Sequence, residues 1–287
     1  MQDRKGIIVF LLIAFGLAWG IWLVLFSLGI TPRDLRFQLW GTFPGFAPAI
    51  AAIIVRKWVT REGFGDAGLR PNLKTWRYYL VAWLMPLVVA CIVTGLAVML
   101  RLSMPDPTLQ RAYQILTPGD PPPPLLVNLP LPVFPLILTF VTTFLIWGEE
   151  FGWRGYLQLR LFAERPVLAG AATGLIWGVW HAPMILASGD QYAATPWLGL
   201  IVFPISAVLL SIIWGWLRLK TGSVWSASMA HAATNSVGSL ILVSLFYGGP
   251  NWTFLAYYGV LAWLPLGVFC LWLVSSGQLP TRLAKPL

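Results

Sequence analysis

The sequence predicts an all-α, polytopic membrane helical bundle, and three observations carry that prediction. Hydrophobic residues make up 58% of the 287-residue chain and charged residues only 10%, with a mean hydropathy of +0.75, a composition suited to lipid rather than water. The apolar runs are long enough to cross a hydrocarbon core of ~30 Å, which takes about 20 helical residues. Within each run the apolarity is continuous and does not alternate with a period of two, which favours helices over a membrane barrel with a polar lumen. Eight runs qualify as spans: 7–30, 38–55, 78–100, 133–150, 167–187, 197–217, 222–246 and 252–275. The chain, 1–287, reads as a single integral membrane domain.

Taken in order, the first run is too long for a signal-peptide core and lacks a small-residue cleavage site, so residues 1–30 read as a retained signal anchor. Between the second and third runs, the 56–77 connection carries six Lys and Arg residues. Cys91 in the third run and Cys270 in the eighth are small hydrophobes in apolar surroundings and give no basis for a bridge. The long 101–132 connection contains Pro121 to Pro124, a stiff polyproline spacer. Assigning connections alternately to the two faces puts 15 of the 19 Lys and Arg on one side and four on the other. That bias places both termini in the cytoplasm. It also accounts for the net charge of +9 through anionic lipid headgroups. No nucleic-acid motif accompanies it.

The fourth run ends in Glu149-Glu150-Phe151-Gly152-Trp153-Arg154. No proline follows until Pro166, so the helix is predicted to continue to about Glu164. Residues i and i+4 share a helix face, so Glu150 pairs with Arg154, while Glu149 faces Trp153 and has no cation on its own helix. The two carboxylates therefore differ in role. Glu150 is a paired, structural group, and the unpaired Glu149 is the candidate general base. A plainer account makes both of them interfacial residues at a helix end, with Arg154 snorkelling to the headgroups.

The fifth run argues for more than an interface. Gly170, Gly174 and Gly178 recur every fourth residue and His181 follows, then Pro183; such a ridge lets a neighbouring helix approach closely and holds His181 against protein rather than lipid. After the sixth run, the seventh carries Ser223, Ala227, His231, Asn235 and Ser239 at successive i+4 positions, a small and polar stripe that should face the bundle interior. His231 lies roughly 14 Å into its helix at 1.5 Å per residue, a depth that Glu149 and His181 can also reach. These residues are candidates for one intramembrane pocket open to the cytoplasm. In it Glu149 with His181 can deprotonate a water, while His231 and Asn235 can donate to the oxyanion of a carbonyl substrate. Glu149, His181 and His231 could instead ligate Zn²⁺ and leave a position open for water. The zincin pattern His-Glu-x-x-His is absent.

In order along 149–235, Glu149-Glu150-x-x-x-Arg154, Trp177-x-x-x-His181 and His231-x-x-x-Asn235 resemble the motifs of the CPBP family of intramembrane proteases, the CAAX prenyl proteases and bacteriocin-processing or Abi proteins. The segment Gly63-Phe64-Gly65-Asp66-Ala67-Gly68-Leu69-Arg70 resembles one that precedes the third helix in bacterial members. The resemblance implies a catalytic core over about 133–246, with Glu149 and His181 acting on water, His231 and Asn235 completing the site, and Glu150 and Arg154 in support. It implies an endopeptidase of the CAAX prenyl protease type, cutting a peptide or a lipidated, membrane-anchored protein near the cytoplasmic face. It leaves glutamate-only and metal-assisted chemistry both open. Trp177 stands where the motif often has Phe, and neither aromatic is expected to touch the proton chemistry. Two other classes are a non-proteolytic immunity or scaffold protein of the same fold, and a proton-coupled transporter. The transporter needs a titratable path to the outer face, where the motif helices hold no ionisable residue beyond His181.

Overall fold

Phe10, Ala14, Ala18 and Trp22 recur every fourth residue along α1 (Gln2–Ser27) and are buried, whereas Leu12, Leu23 and Val24 are exposed. On a helix apolar all round, one stripe meets protein and the remainder is left for lipid. The computed structural model describes residues 2–32, 34–105, 133–187, 192, 195–239, 242 and 252–282. Pro121 to Pro124 lie outside the described residues, as does most of 240–246 at the end of the seventh apolar run.

Among the described residues there are helices and no strands, and five helices are long and apolar enough to cross a membrane: Arg4–Ser27, Leu73–Met99, Val133–Arg160, Pro196–Thr221 and Thr253–Ser275. These coincide with five of the eight apolar runs. In the other three runs the described helices are shorter. Residues 38–55 divide into the end of α2 (Leu35–Trp40), a 3₁₀ turn (Phe43–Phe46) and α3 (Ala47–Ile54), which continues as a π turn (Val55–Val59). Gly41, Pro44, Gly45 and Pro48 explain the division, since proline removes a helical donor and clashes with the preceding turn. Such broken backbone within an apolar layer needs protein around it, and residues 46–48 lie directly against the helix that carries Gly148 and Gly152: a Cβ on Gly148 would collide with Phe46, and one on Gly152 with Pro48.

In α4 (Trp76–Met99), Ala82, Pro86, Val89, Ala90, Val93 and Ala97 form the buried face, and Trp83 donates its indole N–H to Leu136 O at 3.1 Å. α5 (Val133–Gly152) runs on through a π turn (Trp153–Leu157) and a closing turn (Gln158–Arg160). It stops short of Glu164: Leu161 is extended and Phe162 takes φ +50°. The end is fixed where Arg160 turns back to Tyr156 O (3.0 Å) and reaches across to Glu62 (2.6 Å).

The glycine ridge belongs to α6 (Pro166–Trp180) and packs against α8 (Pro196–Thr221). A Cβ on Gly174 would lie 2.6 Å from Ala207 O, one on Gly178 2.7 Å from Pro204 Cα, and one on Gly170 3.1 Å from Ile212 Cα. Between them α7 (Ala182–Ala187) follows a break at His181. α9 (Val224–Ala233) starts at Ser223, whose hydroxyl accepts from Trp225 N, and continues as a π turn (Thr234–Ser239) beside α5. The chain closes with α10 (Trp252–Leu255), a 3₁₀ turn (Val260–Ala262) and α11 (Trp263–Ser275). Cys270 is buried there and Cys91 is exposed on α4.

The 63–70 segment is a clasp across four helix ends. Fully buried Arg56 donates to Asp66 Oδ1 at 2.8 Å and to Gly155 O, just past α5, at 2.9 Å. Arg218 of α8 donates to Asp66 O at 2.6 Å. At the start of α9, Val224 N reaches Gly68 O (2.9 Å) and the Trp225 indole reaches Leu69 O (2.8 Å). Gly68 has φ +68°, and a side chain there would strike Gly222 O and Arg218, so glycine satisfies both the backbone and the approach. Burial alone raises the Asp66 carboxyl, but its bond from Arg56 and the charges of Arg56 and Arg160 outweigh that and hold it below its ordinary range.

Candidate active site

Glu149 sits on the last turn of α5, flanked by Gly148 and Gly152, the two positions where α5 meets the 46–48 backbone. This close approach puts the carboxylate beside Gly45, whose added Cβ would stand 3.6 Å from Glu149 Oε1. Glu149 is 8% exposed, and its partner is the indole of Trp177 on α6, which donates Nε1–H to Oε2 at 2.8 Å. Trp153, four residues on from Glu149, is wholly buried with its ring against Phe10 and Trp180. One expectation changes here. Trp177, expected to stay clear of the proton chemistry, bonds the candidate base directly, as phenylalanine could not.

His181 owes its position to the break between α6 and α7. Pro183 cannot supply a helical N–H, and the His181 backbone N–H tightens onto Gly178 O (3.2 Å) instead of the Trp177 carbonyl four residues back. The imidazole Nδ1 lies 2.9 Å from that Trp177 carbonyl. A carbonyl only accepts, so Nδ1 carries the proton and Nε2 presents a lone pair. The ring is packed by Trp177, Trp180 and Phe203 at centroid distances of 5.0, 4.8 and 4.8 Å.

Glu150 is entirely buried and its Oε1 accepts two donors, Arg154 Nη1 at 2.8 Å and His231 Nδ1 at 2.9 Å. The i,i+4 pair is as expected from spacing, and the contact to His231 adds a second duty: the carboxylate fixes the ring so that Nε2 is the free nitrogen. Arg154 is desolvated beneath two indoles, 5.6 Å from the Trp177 centroid and 5.0 Å from that of Trp214, contacts that offset part of the cost of burying its charge. Trp214 also stacks on His231 at 4.5 Å. A snorkelling Arg154 at a lipid interface is inconsistent with this burial.

Asn235 is the second residue of the π turn after α9. Its neighbours Thr234 and Ser236 are buried and Asn235 itself is open; Tyr258 donates its phenol O–H to Asn235 Oδ1 at 2.7 Å. A cavity of about 290 Å³ is lined by Glu149, Trp177, His181, His231, Asn235 and Tyr258, with Met184, Ile185, Tyr192 and Phe203. All four sequence-derived catalytic candidates thus line one space. Of the rest of the α9 stripe, Ser223 and Ala227 are packed away from it and Ser239 bonds Thr234 O.

Among the described residues, no three His, Cys, Asp or Glu side chains are placed to hold a metal ion. Glu149, His181 and His231, the set that could ligate Zn²⁺, all line the cavity without forming such a group. Chemically, the arrangement offers a carboxylate, two imidazoles and the Asn235 amide along one cavity, with the amide oxygen taken by Tyr258. Sequence reasoning missed Tyr258, which no spacing rule connects to Asn235, and missed the Gly148-x-x-x-Gly152 pair, whose small-residue spacing was a usable signal.

Residues 130–237 match the family model described as Rce1-like, type II CAAX prenyl endopeptidase. That stretch includes Glu149, Glu150, Arg154, His181, His231 and Asn235 and leaves Tyr258 outside. Comparison with curated proteins gives no match.

Proposed function

We propose that this chain, whose residues 130–237 match the Rce1-like family model, is a CAAX-type intramembrane protease that hydrolyses a peptide bond with a water activated by Glu149 and His181. The observation that supports the reading best is the one cavity bordered by Glu149, His181, His231 and Asn235. A water there can give one O–H to the Glu149 carboxylate and the other to His181 Nε2. In the attack its oxygen bonds to the substrate carbonyl carbon and one proton passes to Glu149. Asn235 Nδ2 donates to the developing oxyanion. His231 donates as well when protonated at Nε2, and Glu150 compensates the imidazolium charge through the Nδ1 contact. As the C–N bond breaks, Glu149 returns its proton to the leaving amine. No step uses a metal.

The substrate is proposed to be a lipidated or membrane-anchored peptide, reached from the cytoplasmic side of a bacterial plasma membrane. Supporting this, Glu149 lies near the end of α5 that carries Arg154 and Arg160, the side to which the Lys and Arg bias assigns the cytoplasm. Purified protein in liposomes, given farnesylated and unmodified membrane-anchored peptides, provides the test, with Glu149→Gln alongside wild type and each run with a strong chelator. Cleavage lost in the variant with thermal stability unchanged is the expected result; undiminished cleavage overturns the role of Glu149. Cleavage lost to the chelator would replace carboxylate chemistry with metal chemistry. No cleavage by either protein would favour a non-proteolytic immunity or scaffold role.

A further inference from the structure

We infer that Tyr258 is a positioning residue for hydrolysis, its phenol setting which end of the Asn235 amide faces the bound carbonyl; this rests on the role proposed for Asn235. An Asn side chain has two ends of opposite use. Its oxygen repels an oxyanion and its NH₂ donates to one, yet the two are nearly equal in shape. A 2.7 Å bond from Tyr258 Oη to Oδ1 engages the oxygen and turns the NH₂ toward the cavity that both residues line.

Tyr258 is itself held at its backbone carbonyl and at its ring. The Tyr258 carbonyl accepts from Tyr192 Oη at 2.8 Å and from Ser206 Oγ at 2.7 Å, and Ser206 Oγ in turn accepts from the Trp263 indole at 2.8 Å. Its ring packs on Phe203 at 5.0 Å between centroids. The turn bearing Tyr258 also docks onto the π turn bearing Asn235, because Gly238 leaves room for the Tyr257 ring: an added Cβ there would overlap it. Tyr258 is 6% exposed, and since its hydroxyl acts on Asn235 rather than on the reacting atoms, its contribution is orientation.

The test is a double-mutant cycle of Tyr258→Phe and Asn235→Ala on the cleavage assay, joined to NMR of protein labelled at asparagine nitrogen. The sequence has four asparagines, Asn72, Asn128, Asn235 and Asn251, so Asn235→Ala assigns the relevant side-chain pair. Expected is a kcat loss of about 10-fold in Tyr258→Phe with KM and melting temperature unchanged, a loss on the order of 100-fold in Asn235→Ala, and a double variant no slower than Asn235→Ala. The Asn235 NH₂ signals should move in Tyr258→Phe, a readout that needs no activity. Full kcat in Tyr258→Phe beside a crippled Asn235→Ala overturns this inference alone, as do additive losses or unmoved NH₂ signals. Full activity in Asn235→Ala overturns it together with the role of Asn235.

Discussion

Trp177 donates its indole N–H to Glu149 across 2.8 Å while its backbone carbonyl takes the Nδ1 proton of His181. One residue of α6 therefore sets the geometry of both groups proposed to activate water, and it leaves Glu149 Oε1 and His181 Nε2 as the available acceptors.

Trp177→Phe keeps a ring in the aromatic packing and removes only the donor. A hydrogen bond to a charged group contributes about 1.5–3 kcal/mol, so kcat should fall about 10-fold or more and the acidic limb of the pH–rate profile should be displaced, with KM nearly unchanged. Steady-state kinetics across pH reads both quantities; an unaltered profile and kcat would leave the bond without catalytic effect.

Replacing Arg154 by Met leaves the buried Glu150 carboxylate with His231 alone and should cost about 3–5 kcal/mol, the usual penalty for orphaning a buried charge. The paired change Glu150→Gln with Arg154→Met should recover part of that loss in thermal unfolding while activity stays low, because His231 has lost its carboxylate. Equal stability of wild type and Arg154→Met would contradict the burial of this pair.

The α6 glycine ridge makes a sharper prediction than helix propensity does. Gly174→Ala should destabilise by about 1–3 kcal/mol, because its Cβ would press on the α8 backbone. Gly95→Ala on α4, where an added Cβ meets nothing, should be neutral or stabilising by up to about 1 kcal/mol. Melting temperatures in detergent that rank the two the other way would refute close α6–α8 packing.

In the 63–70 clasp the two partners should respond unequally. Arg56 is fully buried and bonds two backbone carbonyls besides Asp66, so Arg56→Met should cost about 3–5 kcal/mol. Asp66 has a half-exposed side chain, and Asp66→Asn should cost no more than about 1 kcal/mol. Because the folded Asp66 carboxyl is held below its ordinary range, its contribution is complete above the unfolded-state value near 4 and is lost as pH falls through the folded one. Unfolding midpoints of wild type and Asp66→Asn should accordingly differ at pH 7 and converge in acid; a gap that widens in acid would reverse the sign of this coupling.

The sequence by itself determined what periodicity and spacing control. Continuous apolarity gave the helical membrane class, the i,i+4 rule gave the Glu150–Arg154 pair and left Glu149 without a cation on its helix, and the spacing of Gly170, Gly174 and Gly178 located a face for close packing. Breaks in the apolar runs were harder to see, because Pro44, Pro48 and Pro183 shorten helices only where neighbouring protein can cover the opened backbone. Tertiary structure alone decided the pairings between helices. That Trp177 reaches Glu149, that Glu150 holds His231, and that Tyr258 holds Asn235 depend on which helices adjoin and how they are rotated. The physical reason is that hydrogen bonds are short-ranged and directional, so a rotation of α6 or a slip of the Tyr258 turn by one residue would remove them without changing the hydrophobic pattern that the sequence displays.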